Sequence, residues 1–305
     1  MRPTAGLVSR SGVYDGWPQV FGSLGPMART VADLARLLDV MVGYDPEDPL
    51  TALGVGHVPA SYTTALDKNG LKGSRIGILR ESMGYQSEPE SADFAKITAV
   101  FDKAVGELRT AGATLVDPIV IPKLTALLAK RAVSPGEADE SFKAYFGRSA
   151  RAPFKGREDM LRSPEFANVS PISQARLRTP LDAQKHYEYL MARDELMTNV
   201  LKVMADQQLT AIVYKAVEHQ PTLITDGVHP PYVNQKGAPA LNTFLVFVPA
   251  IAVPAGFTID NLPAGIVFMG RPYEEGTLIQ LAYAYEQATR HRRPHGTTPA
   301  LPREP

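Results

Sequence analysis

The sequence predicts an α/β protein. Short apolar runs alternate with longer amphipathic stretches along most of the 305 residues, and that alternation is characteristic of sheets covered by helices. The clearest unit runs strand, helix, strand. A helical crossover of that kind lays two consecutive strands parallel.

The elements follow in order. Residues 30–42 predict a helix. Thr30 can cap it, with Asp33 three residues on in a capping-box arrangement. Leu34, Leu37, Leu38 and Met41 recur at i, i+3, i+4 and i+7, giving one apolar face, and Gly43 stops it. Arg75 to Leu79 is a short buried strand. Ser91 opens a helix with Phe94, Ile97, Phe101, Val105 and Leu108 on one face, ending at Gly112. Residues 113–121 form the next strand, where Pro118 assigns the second half to a sheet edge. Residues 123–180 carry helical fragments and loops rich in Ser, Pro and Arg, an excursion off the sheet that caps a cleft. Thr179-Pro180 sets a cap and a first-turn proline before a long helix, 181–207. Residues 209–217 return as a strand. The apolar stretch 241–254 is broken by Pro249 and Pro254 into two extended pieces, and 264–269 is a further strand. Residues 277–290 are the last helix, with Leu278, Leu281, Ala282, Tyr285 and Ala288 inward. Residues 1–295 then make one domain and 296–305 a disordered tail.

Composition excludes several function classes. Lys+Arg and Asp+Glu are both 32, and a balanced charge argues against a nucleic-acid partner. There is no cysteine, so disulfides, thiolate metal sites and Cys nucleophiles are excluded. No apolar run is long enough for a membrane span. The first residues lack a basic region followed by an apolar one, so no signal peptide is expected and a cytoplasmic location is.

Common catalytic motifs are absent from the sequence: no Gly-x-Ser-x-Gly, Ser-x-x-Lys, Walker loop or His-Glu-x-x-His. Gly54-Val55-Gly56 lacks the third glycine of a dinucleotide loop. His219, Asp226 and His229 match no metal-ligand spacing, so neither metal nor cofactor is expected. Ser23, in Gly22-Ser23-Leu24-Gly25, is a serine in a glycine-bearing turn with no base nearby in sequence, and reads as a turn residue.

Four stretches carry a resemblance. They are Arg2-Pro3-Thr4-Ala5-Gly6-Leu7-Val8-Ser9-Arg10; Gly25-Pro26-Met27-Ala28-Arg29-Thr30-Val31-Ala32-Asp33; Val253-Pro254-Ala255-Gly256-Phe257 with Leu262-Pro263-Ala264-Gly265 and Gly270-Arg271-Pro272-Tyr273; and the closing Ala282 to Thr289. In this order they resemble the amidase signature family. The resemblance implies a mixed, twisted sheet with helices on both faces. It also implies amide hydrolysis by a serine nucleophile, a bridging serine in a cis peptide, and a lysine. A lysine kept neutral by burial can take a proton relayed through the bridging serine. The activated serine then forms an acyl-enzyme whose oxyanion backbone N–H groups stabilise.

None of that triad maps onto this sequence. In the family the two serines lie in a Gly/Ser-rich stretch just upstream of the Pro-Thr-x-Gly segment, with the lysine earlier still, and here there is no Gly-Gly pair anywhere. The triad is therefore expected upstream of Met1, the fold incomplete on its N-terminal side, and this chain a truncated, inactive fragment. The alternatives are a non-catalytic binding partner, or one half of a split amidase or amidotransferase-like enzyme completed in trans. With sheet edges bared, self-association is expected. Two positions depart from the family pattern: Gly22, often aspartate, and Phe247, often glycine.

Candidate substrate contacts follow from where ligands bind in open α/β sheets, beyond the carboxyl ends of strands. Tyr214, Lys215, Glu218 and His219, at the end of one strand, are candidates to line a cleft. Asn242, Thr243 and Phe247 precede the Val-Pro-Ala-Gly stretch, which in the family runs close to the active site. The expected substrate of the parent enzyme is a small amide. Lys215 lies after the serine region rather than before it, so it does not match the family's lysine.

Overall fold

The computed structural model describes residues 1–13, 20, 22–132 and 136–294. The predicted tail, 296–305, lies outside the described residues. A five-stranded mixed sheet organises the rest, in the order β2-β1-β3-β5-β4. Its strands are β1 (Arg75–Leu79), β2 (Thr114–Ile119), β3 (Ala211–Lys215), β4 (Ala250–Phe257) and β5 (Pro263–Met269). β1 pairs in parallel with both β2 and β3, with Ile76 opposite Leu115 on one side and Ala211 on the other. β5 runs antiparallel to β3 and β4, with Val267 opposite Tyr214 and Phe268 opposite Ile251.

Helices cover both faces. On one lie α1 (Val31–Met41), α2 (Ala92–Thr110) and α10 (Glu275–Thr289), whose buried side chains pack on Ile76, Ile78, Val213, Ile251, Ile266 and Phe268. On the other lie α3 (Leu124–Ala132), α7 (Ala183–Asp206) and α9 (Ala240–Phe244), packed on Ile212, Tyr214, Val267 and Met269. Alternation along β3 sends Val213 to one layer and Ile212 and Tyr214 to the other. The strand is therefore buried on both faces and reads as a continuous apolar run.

Most elements form where the sequence places them. Thr30 caps α1, its hydroxyl oxygen accepting from Asp33 N, and Ser91 caps α2 by accepting from Phe94 N. Pro118 lies in β2, an outer strand where its missing N–H costs no ladder bond. Gly25 is required by close approach: a Cβ there would overlap the Met1 carbonyl and the Pro3 ring. In the excursion, α4 (Asp139–Gly147), α5 (Arg157–Arg162) and α6 (Pro171–Arg178) gather a small core of Phe142, Phe166 and Leu177. α3 instead joins the second layer. Between β3 and α9, the single turn α8 (Ile224–Val228) buries none of its side chains.

Four expectations differ from the structure. The buried face of α1 is Val31, Leu34, Ala35 and Leu38, while Leu37 is exposed. In α10, Ala284 is buried and Ala288 is exposed. The cap of α7 is Asp182, whose carboxylate accepts from Lys185 N. Thr179 terminates α6, and its carbonyl accepts from Glu137 N. Residues 241–244 are helical, within α9, and a turn follows before β4. Leu241, Phe244, Leu245 and Val248 are spaced i, i+3, i+4, i+7 and all buried, so one-sided burial against α3 and α7 decides the conformation over β propensity. The edge of Phe244 meets the Tyr189 ring with centroids 5.0 Å apart.

The segment 1–10 threads this framework. Arg2 exchanges backbone bonds with Ala250 at 2.8 and 2.9 Å, adding a bridge to the free edge of β4. Its guanidinium donates to the Leu245 and Val248 carbonyls. Thr4 N donates to Glu275 Oε1 at 2.7 Å, Tyr273 N donates to the Thr4 hydroxyl at 2.9 Å, and Ala5 N reaches Val246 O at 2.8 Å. Farther on, Arg10 grips Asp48 through its backbone N, Nε and Nη2 at 2.8 to 3.0 Å. That pair is buried on both sides.

Two predictions test these anchors. Burial alone would push the Asp48 carboxyl up, but the Arg10 hydrogen bonds and charge outweigh it and hold it below the usual range. A depressed carboxyl stabilises the fold above its unfolded value and loses that contribution as pH falls through the folded value. Asp48→Ala should therefore cost about 3–5 kcal/mol at pH 7 in denaturant titrations, with the gap to wild type closing below about pH 4; a gap independent of pH contradicts this. Glu275 behaves oppositely. Burial raises it, against the pull of the Thr4 bonds and Arg2. Its favourable contribution is whole below the unfolded value and is lost as pH rises through the folded one. Glu275→Gln should gain on wild type as pH rises from about 4 to 7, and a constant difference would contradict the assignment.

Candidate active site

The seven residues singled out from the sequence divide between the two faces of the sheet. Tyr214 points into the α7–α9 layer, fully buried, and donates its hydroxyl proton to Asn242 Oδ1 on α9. Burial pushes the phenol up, and the Arg2 charge opposes that. Arg2 is itself pushed down to about 10 by burial, with Tyr214 and Glu275 acting in the other direction. Arg2, Tyr214, Asn242 and Glu275 thus form one polar group where segment 2–7 crosses the turn after α9. Among the described residues, Arg2 Nε and Glu275 Oε2 are buried there without a hydrogen-bond partner.

Thr243 and Phe247 stand on the outer side of the same turn. Thr243 is exposed, its hydroxyl donating to Ala240 O at 3.2 Å. Phe247 is half-buried, with the Arg193 guanidinium over its ring, 5.2 Å from the centroid. Sequence reasoning missed Arg193. A signal existed: Tyr189, Arg193, Leu196, Val200 and Val203 recur at spacings of four and three, so the arginine occupies a position on the apolar stripe of α7, and all five are buried.

Lys215 and His219 are elsewhere. Lys215 turns to the α2 layer, where its ammonium donates to Thr98 Oγ1 at 2.7 Å and lies 3.7 Å from the Phe94 ring centroid. Burial pushes its ammonium below the usual range, against Glu218 and Asp102. His219 lies between Glu88 and Asp93, each 3.5 Å from a ring nitrogen. Between them in sequence, Glu218 fills the crevice at the carboxyl ends of β1 and β3. Its buried carboxylate accepts from Met83 N at 2.8 Å, Gly84 N at 3.0 Å and the Ser87 hydroxyl. Gly84 and Gly237 meet there so closely that a Cβ on Gly84 would strike the Gly237 backbone. The place where an open α/β sheet usually holds a ligand is here occupied by the chain's own carboxylate.

Ser23 donates to the Pro3 carbonyl at 2.9 Å, which fastens its turn to the N-terminal segment. Among the described residues no group of three His, Asp or Glu side chains is placed to hold a metal ion. No described helix is long and apolar enough to cross a membrane.

Known proteins share this architecture. A family profile described as Amidase matches residues 1–279. A probable amidase of Arabidopsis thaliana is 28% identical over 309 aligned residues, covering 96% of this chain and 53% of the relative. A glutamyl-tRNA(Gln) amidotransferase subunit from Chloroflexus aggregans is 30% identical, over 95% of this chain and 58% of its own length. Among solved structures, an amidase family protein from Bacillus anthracis superposes with a TM-score of 0.73 at 26% identity, covering 96% of this chain and 53% of that one. The native peptide amidase of Stenotrophomonas maltophilia gives a TM-score of 0.71 at 31% identity, with 97% and 59% covered. The chain therefore spans little more than half the length of the relatives it matches, and by sequence and fold it belongs to the amidase signature family.

Proposed function

We propose that this chain provides the C-terminal framework of an amide-hydrolysing enzyme acting on a small amide or a C-terminal carboxamide, and that it does not hydrolyse amides alone. The observation that carries this reading is how its lysine and serine candidates are engaged. Lys215 is directed to Thr98 beneath an aromatic ring, and Ser23 to a backbone carbonyl. Neither is set in a serine–serine–lysine relay, which needs each group within hydrogen-bond reach of the next. The likeness to a peptide amidase supports the carboxamide class. On this reading, Thr243 and Phe247 line the substrate side with Tyr214 and Asn242 bonded to each other behind them, whereas Lys215 and His219 brace the opposite layer.

A second reading is one half of a two-chain enzyme. It is favoured by the likeness to an amidotransferase component that is by name one part of an assembly. Its partner would be a chain supplying the serine-rich loop, or a second copy associating through the sheet edges. The coding DNA upstream of Met1 separates the readings. An in-frame Gly/Ser-rich stretch supports the longer single chain, and stop codons support the partner.

Two outcomes are expected. The purified 305-residue chain releases no ammonia from benzamide or from an amidated dipeptide in a coupled assay, and turnover would contradict the proposal. Lys215→Met is at least as stable as wild type at pH 7 by denaturant titration, because it removes a buried cation while keeping the packing against Phe94. A folded Lys215→Met chain that abolished turnover in any preparation competent for it would restore the lysine to the chemistry.

A further inference from the structure

The excursion between β2 and α7 carries an open cavity of about 380 Å3, a size ordinary for small-molecule sites. One side is formed by Asp139 and Lys143 of α4, the other by the turn 155–159 that opens α5. The charges around it are unevenly answered. Asp139 stands four residues before Lys143, the spacing at which a helical carboxylate neutralises an ammonium. It is drawn away instead, pairing with Arg157 Nε at 2.6 Å. Arg157 is 7% exposed and donates from Nη1 to the Leu177 carbonyl at 2.8 Å, which fixes that pair in place. Glu158 and Asp159 are engaged by Arg162, at 2.9 and 3.7 Å. Among the described residues, the Lys143 and Lys155 ammoniums make no ion pair or hydrogen bond. Gly156 brings the two together. A Cβ on it would meet the Lys143 stem at 3.5 Å, so that stem lies over the Gly156 backbone, next to Lys155.

Two like charges bordering one cavity repel each other unless an anion lies between them. We propose that this cavity binds a phosphate dianion, free or carried on a small molecule, between Lys143 and Lys155. A phosphate group carries about −1.5 to −2 charge near neutral pH, which matches two unanswered ammoniums, whereas one carboxylate matches a single one. Ammonium point charges on flexible stems suit tetrahedral phosphate oxygens, while a planar carboxylate is better met by a guanidinium fork. The guanidinium at this cavity is already engaged by Asp139. Nothing in the site depends on amide hydrolysis, since it lies on α4 and α5 rather than on α9 or the sheet.

The test titrates glycerol 3-phosphate, inorganic phosphate and acetate separately into the 305-residue chain at fixed ionic strength, following the amides of residues 155–158 by NMR. Salt is held constant because exposed charges are screened within about 8 Å at 0.15 M. Wild type is expected to bind at least one of the two phosphates about tenfold or more tightly than acetate, with the largest shifts at those amides. Tighter binding of the glycerol ester identifies an organic phosphate as the ligand, and equal or tighter binding of inorganic phosphate identifies the free ion. Lys143→Gln/Lys155→Gln should lose about tenfold or more in phosphate affinity. Both side chains are exposed, so this variant keeps the fold. Lys68→Gln/Lys72→Gln removes the same charge from another exposed surface and should bind as wild type does. Undetectable phosphate binding by wild type would overturn the proposal. So would unchanged affinity in Lys143→Gln/Lys155→Gln, or an equal loss in both double variants, which marks diffuse attraction to net charge.

Discussion

The structure depends on the seating of residues 2–7 against the far edge of the sheet. Arg2 holds two carbonyls of the α9–β4 turn with its side chain while its backbone pairs with Ala250. Thr4 is fixed on both sides, by Glu275 at the start of α10 and by the Tyr273 amide. Helix α9, strand β4 and helix α10 thus meet through one extended segment with little secondary structure of its own. Backbone groups buried in that way must find partners, and here three separate elements supply them.

Three cations show how differently one fold treats buried charge. Arg10 is matched to Asp48 by a direct fork and stabilises its loop. Lys215 is tolerated under an aromatic ring with a single hydroxyl partner. Arg193 has a carbonyl, two rings and, 3.8 Å from Nε, the Asp194 carboxylate. Among the described residues, the first makes a direct ion pair at 2.8 Å and the third a longer one at 3.8 Å.

Much of the fold was legible from local signals. Thr30 and Ser91 announced their helices because a hydroxyl cap satisfies an amide at a fixed offset, and Pro118 announced an edge because it lacks a donor. Where long-range packing decides, the sequence was less readable. The run from Leu241 to Val248 satisfies strand and helix patterns alike, and packing against α3 and α7 selects a short helix, ending at Phe244, followed by a turn. The candidate contacts show the same division between local and long-range signals. Tyr214 and Asn242, singled out from separate stretches, meet in space, but adjacent residues of a strand point apart, so Lys215 could not share the face of Tyr214. Glu218 was invisible as a structural carboxylate because its partners, Met83, Gly84 and Ser87, lie more than a hundred residues away.

Segment 2–7 is, on these contacts, a locked part of the framework rather than a loose leading strand. Hydrogen–deuterium exchange on the 305-residue chain measures this directly, because amides exchange only through opening. The Arg2, Thr4 and Ala5 amides, bonded to Ala250, Glu275 and Val246, should be protected to the same degree as those of central strand β3. Exchange of these three amides at the rate of exposed loops, while β3 stays protected, would contradict it.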